Sequence, residues 1–302
     1  MEEKFYSGFI SIIGSPNVGK STLLNALVGE KIAIISNKPQ TTRNKIQAVL
    51  TKDNFQAVFM DTPGIHGEKH KLDRFMQKSV EAALTEIDII LYLIEPTLKL
   101  IKRETEIIEK LRSVKTPVFL VINKTDKLSE GAVYPIIEGY KSLFNFAEVI
   151  NISALENKNL DKLLDAIKKY LPEGPEYFPD DYITDQPEKQ IVSEIIREKA
   201  LMLLRDEIPH GLAVEISLFK QRQGTDFIDI EAAIYCEKKS HKGIIIGKNG
   251  EMLKKIGTKA RADIENLLGA KVNLQTWVKI KDNWRDNEYL LKNFGYDHRR
   301  IT

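Results

Sequence analysis

Gly14-Ser15-Pro16-Asn17-Val18-Gly19-Lys20-Ser21 fits the pattern G-x-x-x-x-G-K-[ST], and its flanks decide what the pattern means. The apolar run Phe9-Ile10-Ser11-Ile12-Ile13 comes directly before it and Thr22-Leu23-Leu24-Asn25-Ala26-Leu27 directly after. That is the strand, loop and helix setting in which such a segment wraps phosphate. Backbone N–H groups can close around phosphate oxygens, and the N-terminus of the following helix adds positive field. Lys20 is then placed to reach the β- and γ-phosphates and the Ser21 hydroxyl to ligate Mg²⁺, with Gly14, Ser15, Pro16, Asn17, Val18, Gly19 and Thr22 completing the cradle.

Further along, Asn123-Lys124-Thr125-Asp126 follows the apolar strand Val118 to Ile122. A carboxylate accepts two hydrogen bonds from guanine N1–H and its 2-amino group, and adenine offers no matching donors. Asp126 therefore selects GTP and GDP, because a buried polar pair left unmatched costs orders of magnitude in binding. Asn123 and Lys124 support that loop, and Ser153-Ala154-Leu155, at the next strand end, presents a backbone N–H to guanine O6. Between these motifs, Asp61-Thr62-Pro63-Gly64 ends the strand Ala57 to Met60. Asp61 is expected to hold Mg²⁺ through water and the Gly64 N–H to contact the γ-phosphate, which makes Gly64 to Lys71 a candidate switch. In the polar loop Ser36 to Arg43, Thr42 is the preferred further Mg²⁺ ligand over Thr41. The expected catalytic set is Lys20, Thr42 and Gly64, and the metal set Ser21, Thr42 and Asp61.

With 302 residues the chain has room for two domains, and 42% hydrophobic with 29% charged residues is a globular composition. No apolar stretch reaches the roughly 18 residues of a membrane span, and Met1-Glu2-Glu3-Lys4 does not open a signal peptide, so a cytoplasmic protein is expected. The single cysteine, Cys236, lies in an alternating strand-like run and reads as a packed thiol. Net charge is +2 and unevenly spread: residues 1–185 carry 24 basic against 26 acidic side chains, residues 186–302 carry 21 against 17. An anionic polymer belongs with the second half.

From Phe9 to Leu171, strand runs alternate with helical stretches: Ile10 to Ile13, Ala57 to Met60, Asp88 to Ile94, Pro117 to Asn123 and Glu148 to Ser153. This predicts an α/β domain, a mostly parallel six-stranded sheet with helices on both faces. Ile46 to Thr51 and Phe55 to Met60, joined by Lys52-Asp53-Asn54, read as a hairpin that adds one antiparallel edge strand. Leu171 to Asp181, with three prolines and a glycine, breaks all periodicity. The expected division is a nucleotide domain over 1–172, a linker over 173–187 and a second domain over 188–302.

The second half predicts the order α-β-β-α-α-β: a helix over Ile191 to Arg205, a strand with Leu212, Val214, Ile216 and Leu218 on one face, and a strand with Ile228, Ile230, Ala232 and Ile234. A short helix near Gly243 to Gly247, a longer one over Glu251 to Leu268 and a strand over Val272 to Ile280 follow. Ile246-Gly247-Lys248-Asn249-Gly250 is a G-x-x-G loop between two helices, the clamp by which KH modules hold about four nucleotides. Lys238, Lys239, Lys242, Lys248, Lys254, Lys255, Lys259 and Arg261 face only Glu251 over positions 238–261, so binding should depend strongly on salt. The expected RNA contacts are Lys242, Gly243, Ile246, Gly247, Lys248, Asn249, Gly250, Lys254 and Lys255. By strand parity Trp277 stands opposite Val272, Leu274, Val278 and Ile280; it either stacks on a base or covers an apolar edge.

These motifs together resemble the Era family, bacterial Ras-like GTPases with a C-terminal KH domain. The match runs through Gly14 to Ser21, Pro39-Gln40-Thr41-Thr42-Arg43, Asp61 to His66, Asn123 to Asp126, Ile245 to Gly250 and Trp277-Val278-Lys279-Ile280 followed by Asn283-Trp284-Arg285. The resemblance implies a P-loop GTPase domain followed by an α+β type II KH domain. It also implies a GTP-hydrolysing switch that binds single-stranded rRNA near the 3′ end of the small-subunit rRNA and assists small ribosomal subunit assembly, with no DNA partner. Family members also occur at the inner membrane face; this chain shows no lipidation signal, so any membrane association is expected to be peripheral.

Ras-type enzymes orient the attacking water with a glutamine after Asp-x-x-Gly; here Ile65 stands in that place, which predicts slow intrinsic turnover. Activation then comes from a ribosomal partner or from K⁺. Asn17 motivates the K⁺ option, because it matches the asparagine that binds K⁺ in the related tRNA-modifying TrmE GTPases; the plain alternative is a polar loop residue. Two other functions compete with the switch: an RNA-binding module in which hydrolysis is not required, and a tRNA-modifying GTPase. The second needs a C-terminal cysteine, and this chain ends Asp297-His298-Arg299-Arg300-Ile301-Thr302.

Overall fold

A computed structural model describes residues 4–36, 38, 41–63, 70–82, 86–97, 101–129, 131–205 and 208–296. The chain divides into two compact units: Met1–Ile32 with Asn44–Ile65 and Ser79–Asp185, and Ala33–Arg43 with His66–Lys78 and Gln186–Thr302.

In the first unit, β1 (Tyr6–Gly14), β2 (Ile46–Lys52), β3 (Phe55–Asp61), β4 (Ile89–Ile94), β5 (Val118–Ile122) and β6 (Glu148–Asn151) form a six-stranded sheet ordered β2-β3-β1-β4-β5-β6. Every neighbouring pair is parallel except β2 and β3, which form the expected edge hairpin, with Lys52 opposite Phe55 across Asp53-Asn54. All of β4, Ile-Ile-Leu-Tyr-Leu-Ile, is buried, which requires cover on both sheet faces. On one face Ile107, Ile108 and Leu111 of α3 (Lys102–Leu111) and Ile136 and Tyr140 of α4 (Tyr134–Lys141) pack on Tyr92, Ile94, Leu120 and Ile122. Helix α1 (Lys20–Val28) follows β1, and α5 (Leu160–Tyr170) follows β6. The phosphate loop, Asp61, Asn123 and Ser153 therefore all stand at the carboxyl ends of strands, where open α/β sheets collect ligands.

The stretch expected as a linker lies along this unit. Ser7 N donates to Pro172 O (3.1 Å) and Gly174 N to Phe5 O (3.1 Å). The buried Gln56 side chain accepts from the Tyr177 and Phe178 amides (2.8 and 3.0 Å) and donates to Phe178 O (2.7 Å). Val49 N donates to Ile183 O (2.8 Å), so these residues satisfy the open edge of β2, and Phe178 and Tyr182 pack on Val49, Val58 and Met60.

In the second unit, α6 (Glu188–Leu203), β7 (Ala213–Gln221), β8 (Phe227–Cys236), α7 (Lys239–Ile246), α8 (Glu251–Leu268) and β9 (Lys271–Ile280) follow the expected order. The sheet runs β7-β8-β9; β7 is antiparallel to β8, and β9, brought back by the α7–α8 crossover, is parallel to it. Ile195, Ile196, Ile230, Ile234, Ile256 and Ile264 centre the core between helices and sheet. One expectation fails here. Leu218 does not share the face of Val214 and Ile216, because a bulge between Ile216 and Leu218 shifts the pairing from Ala232 to Glu231 and turns Phe219 toward the core instead. Cys236 is fully buried and its thiol pKa is pushed up by burial, as a packed residue requires. Helices α2 (Lys71–Ala82) and α9 (Glu288–Asn293) complete the described α-helices. Among the described residues no helix is long and apolar enough to cross a membrane.

Candidate functional site

Glycines and one asparagine shape the phosphate loop. Asn17 takes φ 68°, and Gly19, at φ +103°, caps the start of α1 without a side-chain cap, so the first amides of that helix are left for a ligand. A Cβ on Gly19 would collide with the Asn123 carboxamide. Lys20 is buried, donating to Gly14 O (3.1 Å) and Ser15 O (3.2 Å) across the mouth of the loop. Burial pushes its pKa down, and the Asp61 carboxylate opposes that. An ammonium curled onto two loop carbonyls, with anionic charge nearby, is poised to turn to phosphate.

Ser21 Oγ donates to Asp61 Oδ2 at 2.6 Å, which places two of the three expected Mg²⁺ holders together. Asp61 is fully buried, and burial raises its pKa to about 6 against the pull of Lys20, Ser21 and the Thr62 amide. Its Oδ1 is buried with no hydrogen-bond partner among the described residues. An orphaned carboxylate oxygen beside a hydroxyl fits a hydrated divalent cation. Thr62 is held by its Oγ1 on Ile12 O (3.1 Å), and Pro63 is buried beside it. Gly64, together with the rest of 64–69, lies outside the described residues.

The loops expected to read the base are stapled to the loop expected to hold phosphate. Asn123, 2% exposed, donates from Nδ2 to Val18 O (2.9 Å) and accepts at Oδ1 from the Ala154 amide (3.0 Å). Lys124 Nζ donates to Asn17 O (2.5 Å) and pairs with Glu95. Asp126 Oδ1 accepts from Ser153 Oγ (2.6 Å), which orients the carboxylate. Leu155 is 77% exposed, an apolar side chain free to cover a flat ligand. Glu95 carries no sequence signal, since its partner is fixed only by the fold. Thr42 belongs to the second unit and is half-buried there.

On the second unit, Gly247 (φ +73°) ends α7, and a Cβ there would lie 2.8 Å from Met252 Cβ. Asn249 (φ 51°) and Gly250 (φ +80°) turn the chain into α8. This brings Lys242, Gly243, Ile246, Lys248, Lys254 and Lys255 onto two consecutive helices and the turn between them. Lys248, Lys254, Lys255, Lys259 and Arg261 are exposed and Lys242 half-buried, and none is paired with an acidic side chain among the described residues. Ile244, 52% exposed on α7, is an apolar neighbour that periodicity does not single out from Ile245, which is fully buried. Trp277 is 43% exposed on β9.

Comparison with known proteins agrees with both halves of this geometry. Residues 9–124 match the family described as 50S ribosome-binding GTPase and residues 207–285 the KH domain family. The chain is 55% identical to GTPase Era of Clostridioides difficile and 56% identical to GTPase Era of Clostridium kluyveri, over 97% and 96% of its length and 99% of each relative. Among solved structures it is similar to a single-site variant of Aquifex aeolicus Era bound to GDP·AlF₄⁻ (40% identical, TM-score 0.92, 97% of this chain and 99% of that one). A structure of Era with MgGDPNP and nucleotides 1506–1542 of 16S ribosomal RNA is equally similar (41%, TM-score 0.92, the same coverage). The tRNA-modifying alternative loses its reactive cysteine, since Cys236 is buried in a sheet. From the guanine-nucleotide loops, the KH fold and these near full-length relatives, the chain belongs to the Era family of GTPases, and its enzymatic activity is GTP hydrolysis.

Proposed function

We propose that this GTPase is a nucleotide-controlled switch that binds single-stranded rRNA near the 3′ end of the small-subunit rRNA and assists small-subunit assembly. The carrying observation is the pairing, in one chain, of a stapled guanine site with a basic G-K-N-G turn. The solved relative with MgGDPNP and 16S rRNA supports it. Nucleotide work belongs to the 1–172 domain and RNA capture to the 188–302 domain.

In this reading Asp126 accepts from guanine N1–H and the 2-amino group, while Ser153 holds it in place. Guanine O6 shares the Ala154 amide with Asn123. Lys20 leaves the loop carbonyls for the β- and γ-phosphates, neutralising charge as the terminal phosphoryl departs. Ser21, Asp61 and Thr42 would hold Mg²⁺, which when bound screens the β- and γ-oxygens. Gly64 supplies an N–H to the γ-phosphate, and Ile65 offers nothing to orient water, so intrinsic turnover is slow and a partner or K⁺ at Asn17 accelerates it. We place the protein in the cytoplasm, any membrane association being peripheral.

The test is fluorescence anisotropy of a short single-stranded RNA from the 3′ end of small-subunit rRNA, with GDP and with GDPNP. The switch predicts binding about tenfold or more tighter with the triphosphate analogue. Equal binding in both states would detach RNA capture from the nucleotide and favour an RNA-binding module in which hydrolysis is not required.

A further inference from the structure

The start of α6, the strand β7 and the end of α9 border a cavity of about 370 Å³, lined by residues of the second unit alone. A volume of this order suits a small organic ligand. None of the lining belongs to the G-K-N-G turn or to the nucleotide loops. One wall is apolar: Val214 and Ile216 of β7 and Phe294 after α9 all line the cavity, and all are buried in the fold.

The rest of the lining is rich in donors. Gln190 lines the cavity, and its Nε2 is buried with no hydrogen-bond partner among the described residues. An orphaned amide donor costs about 1–3 kcal/mol, so it marks a place where an acceptor is missing. Gly295 (φ +88°) is what lets the chain pass it: a Cβ there would lie 2.6 Å from Gln190 Oε1. Lys189 and Lys292, both exposed, stand on either side, one from α6 and one from α9, and neither is paired with an acidic side chain among the described residues. Helix α6 also begins here, with Pro187 as its N-cap and no side chain capping it, so the positive end of a 16-residue helix adds to the same field. The one carboxylate on the lining, Glu215, accepts from the Tyr235 hydroxyl at 2.7 Å.

We propose that this cavity is a second ligand site, for a small organic phosphate monoester: the phosphoryl oxygens accept from the Gln190 carboxamide and from the Lys189 and Lys292 ammonium groups, and the organic part lies on Val214, Ile216 and Phe294. Donors from two elements around one cavity call for a ligand with several acceptor oxygens. A phosphate monoester has three and carries about 1.5 to 2 negative charges at pH 7, which two lysines and a helix N-terminus match. A phosphodiester carries a single charge and gains less from the same field. Glu215 opposes any anion, so it sets the affinity down without changing the class of ligand.

The experiment titrates phenyl phosphate, and separately dimethyl phosphate, with the full chain in saturating GDP and Mg²⁺, so that the nucleotide site is already filled, and reads binding from the proton line widths of each probe. Phenyl phosphate should bind saturably and more tightly than dimethyl phosphate. Lys189→Ala, Lys292→Ala and Gln190→Leu should each weaken it roughly tenfold. Glu215→Gln, which keeps an acceptor for Tyr235, should tighten it about threefold or more, a change of sign that diffuse attraction to surface lysines does not produce. Gln190→Leu removes an orphaned donor and strands no partner, so its melting midpoint should not fall, and lost binding cannot then be ascribed to lost fold. The proposal is overturned if the native chain shows no saturable binding of phenyl phosphate, or if Lys189→Ala and Gln190→Leu leave its affinity unchanged. Dimethyl phosphate bound as tightly as phenyl phosphate also overturns it, because the site would then suit a polynucleotide backbone as well as a monoester.

Discussion

Replacing Asn123 by alanine should separate the two motif loops that this one side chain joins. The carboxamide makes two buried hydrogen bonds, to Val18 O at 2.9 Å and from the Ala154 amide at 3.0 Å, in a residue 2% exposed. A net contribution of about 1 kcal/mol per bond, raised by the cost of stranding a buried carbonyl and a buried amide, gives a loss of roughly 2–4 kcal/mol. For a unit of this size each kcal/mol moves the midpoint by about 2–4 °C, so the first unit should melt roughly 5–15 °C lower. Thermal unfolding by far-UV circular dichroism measures this, and tryptophan fluorescence gives a control, because Trp277 and Trp284 both lie in the second unit. GDP affinity should fall along with stability, since Val18 belongs to the phosphate loop and Ala154 to the base loop. A midpoint within about 2 °C of the native one, taken with unchanged GDP affinity, would refute the staple argument. Asn123→Asp sharpens the test: it keeps the acceptor for Ala154 and sets an oxygen against Val18 O, so it should be no milder than alanine.

Two further outcomes concern RNA and the monovalent cation. Lys254→Ala or Lys255→Ala should weaken RNA binding at low salt and lower the slope of log affinity against log salt by about 0.7 each, the value for one phosphate contact on a single strand; an unchanged slope removes that lysine from the interface. GTP turnover should be faster in K⁺ than in Na⁺ at equal ionic strength, with Asn17→Ala abolishing the difference; equal native rates would leave Asn17 as a loop-shaping residue, a role its φ of 68° already supports.

Much of the candidate site was legible as motifs because phosphate and guanine are recognised by short contiguous segments. Gly14 to Ser21 and Asn123 to Asp126 each carry their geometry within a few residues, and the strands before them announce themselves as apolar runs. The α-β-β-α-α-β order was legible for the same reason, since periodicity is local. The bulge at Ser217 was not, because a single residue of slip leaves no trace in composition yet moves Leu218 off the core face and Phe219 onto it. The proline-rich stretch after Leu171 was equally opaque: Pro and Gly report that helix and strand end, and say nothing of whether the chain then packs, as Phe178 and Tyr182 do.

The sequence by itself determined the local motifs, a G-x-x-x-x-G-K-S loop after a strand, an Asn-Lys-Thr-Asp segment after another and a basic G-K-N-G turn, and with them the chemistry proposed for the chain, a guanine nucleotide and RNA. Only the tertiary structure decided which long-range partners hold those loops: Asn123 on Val18 and Ala154, Lys124 on Asn17 and Glu95, Arg43 on Leu212 and Tyr296. Motif chemistry is short-range and survives in the order of residues. Whether a buried arginine finds a carbonyl 169 positions away depends on how sheets and helices pack, and that packing is a property of the whole chain.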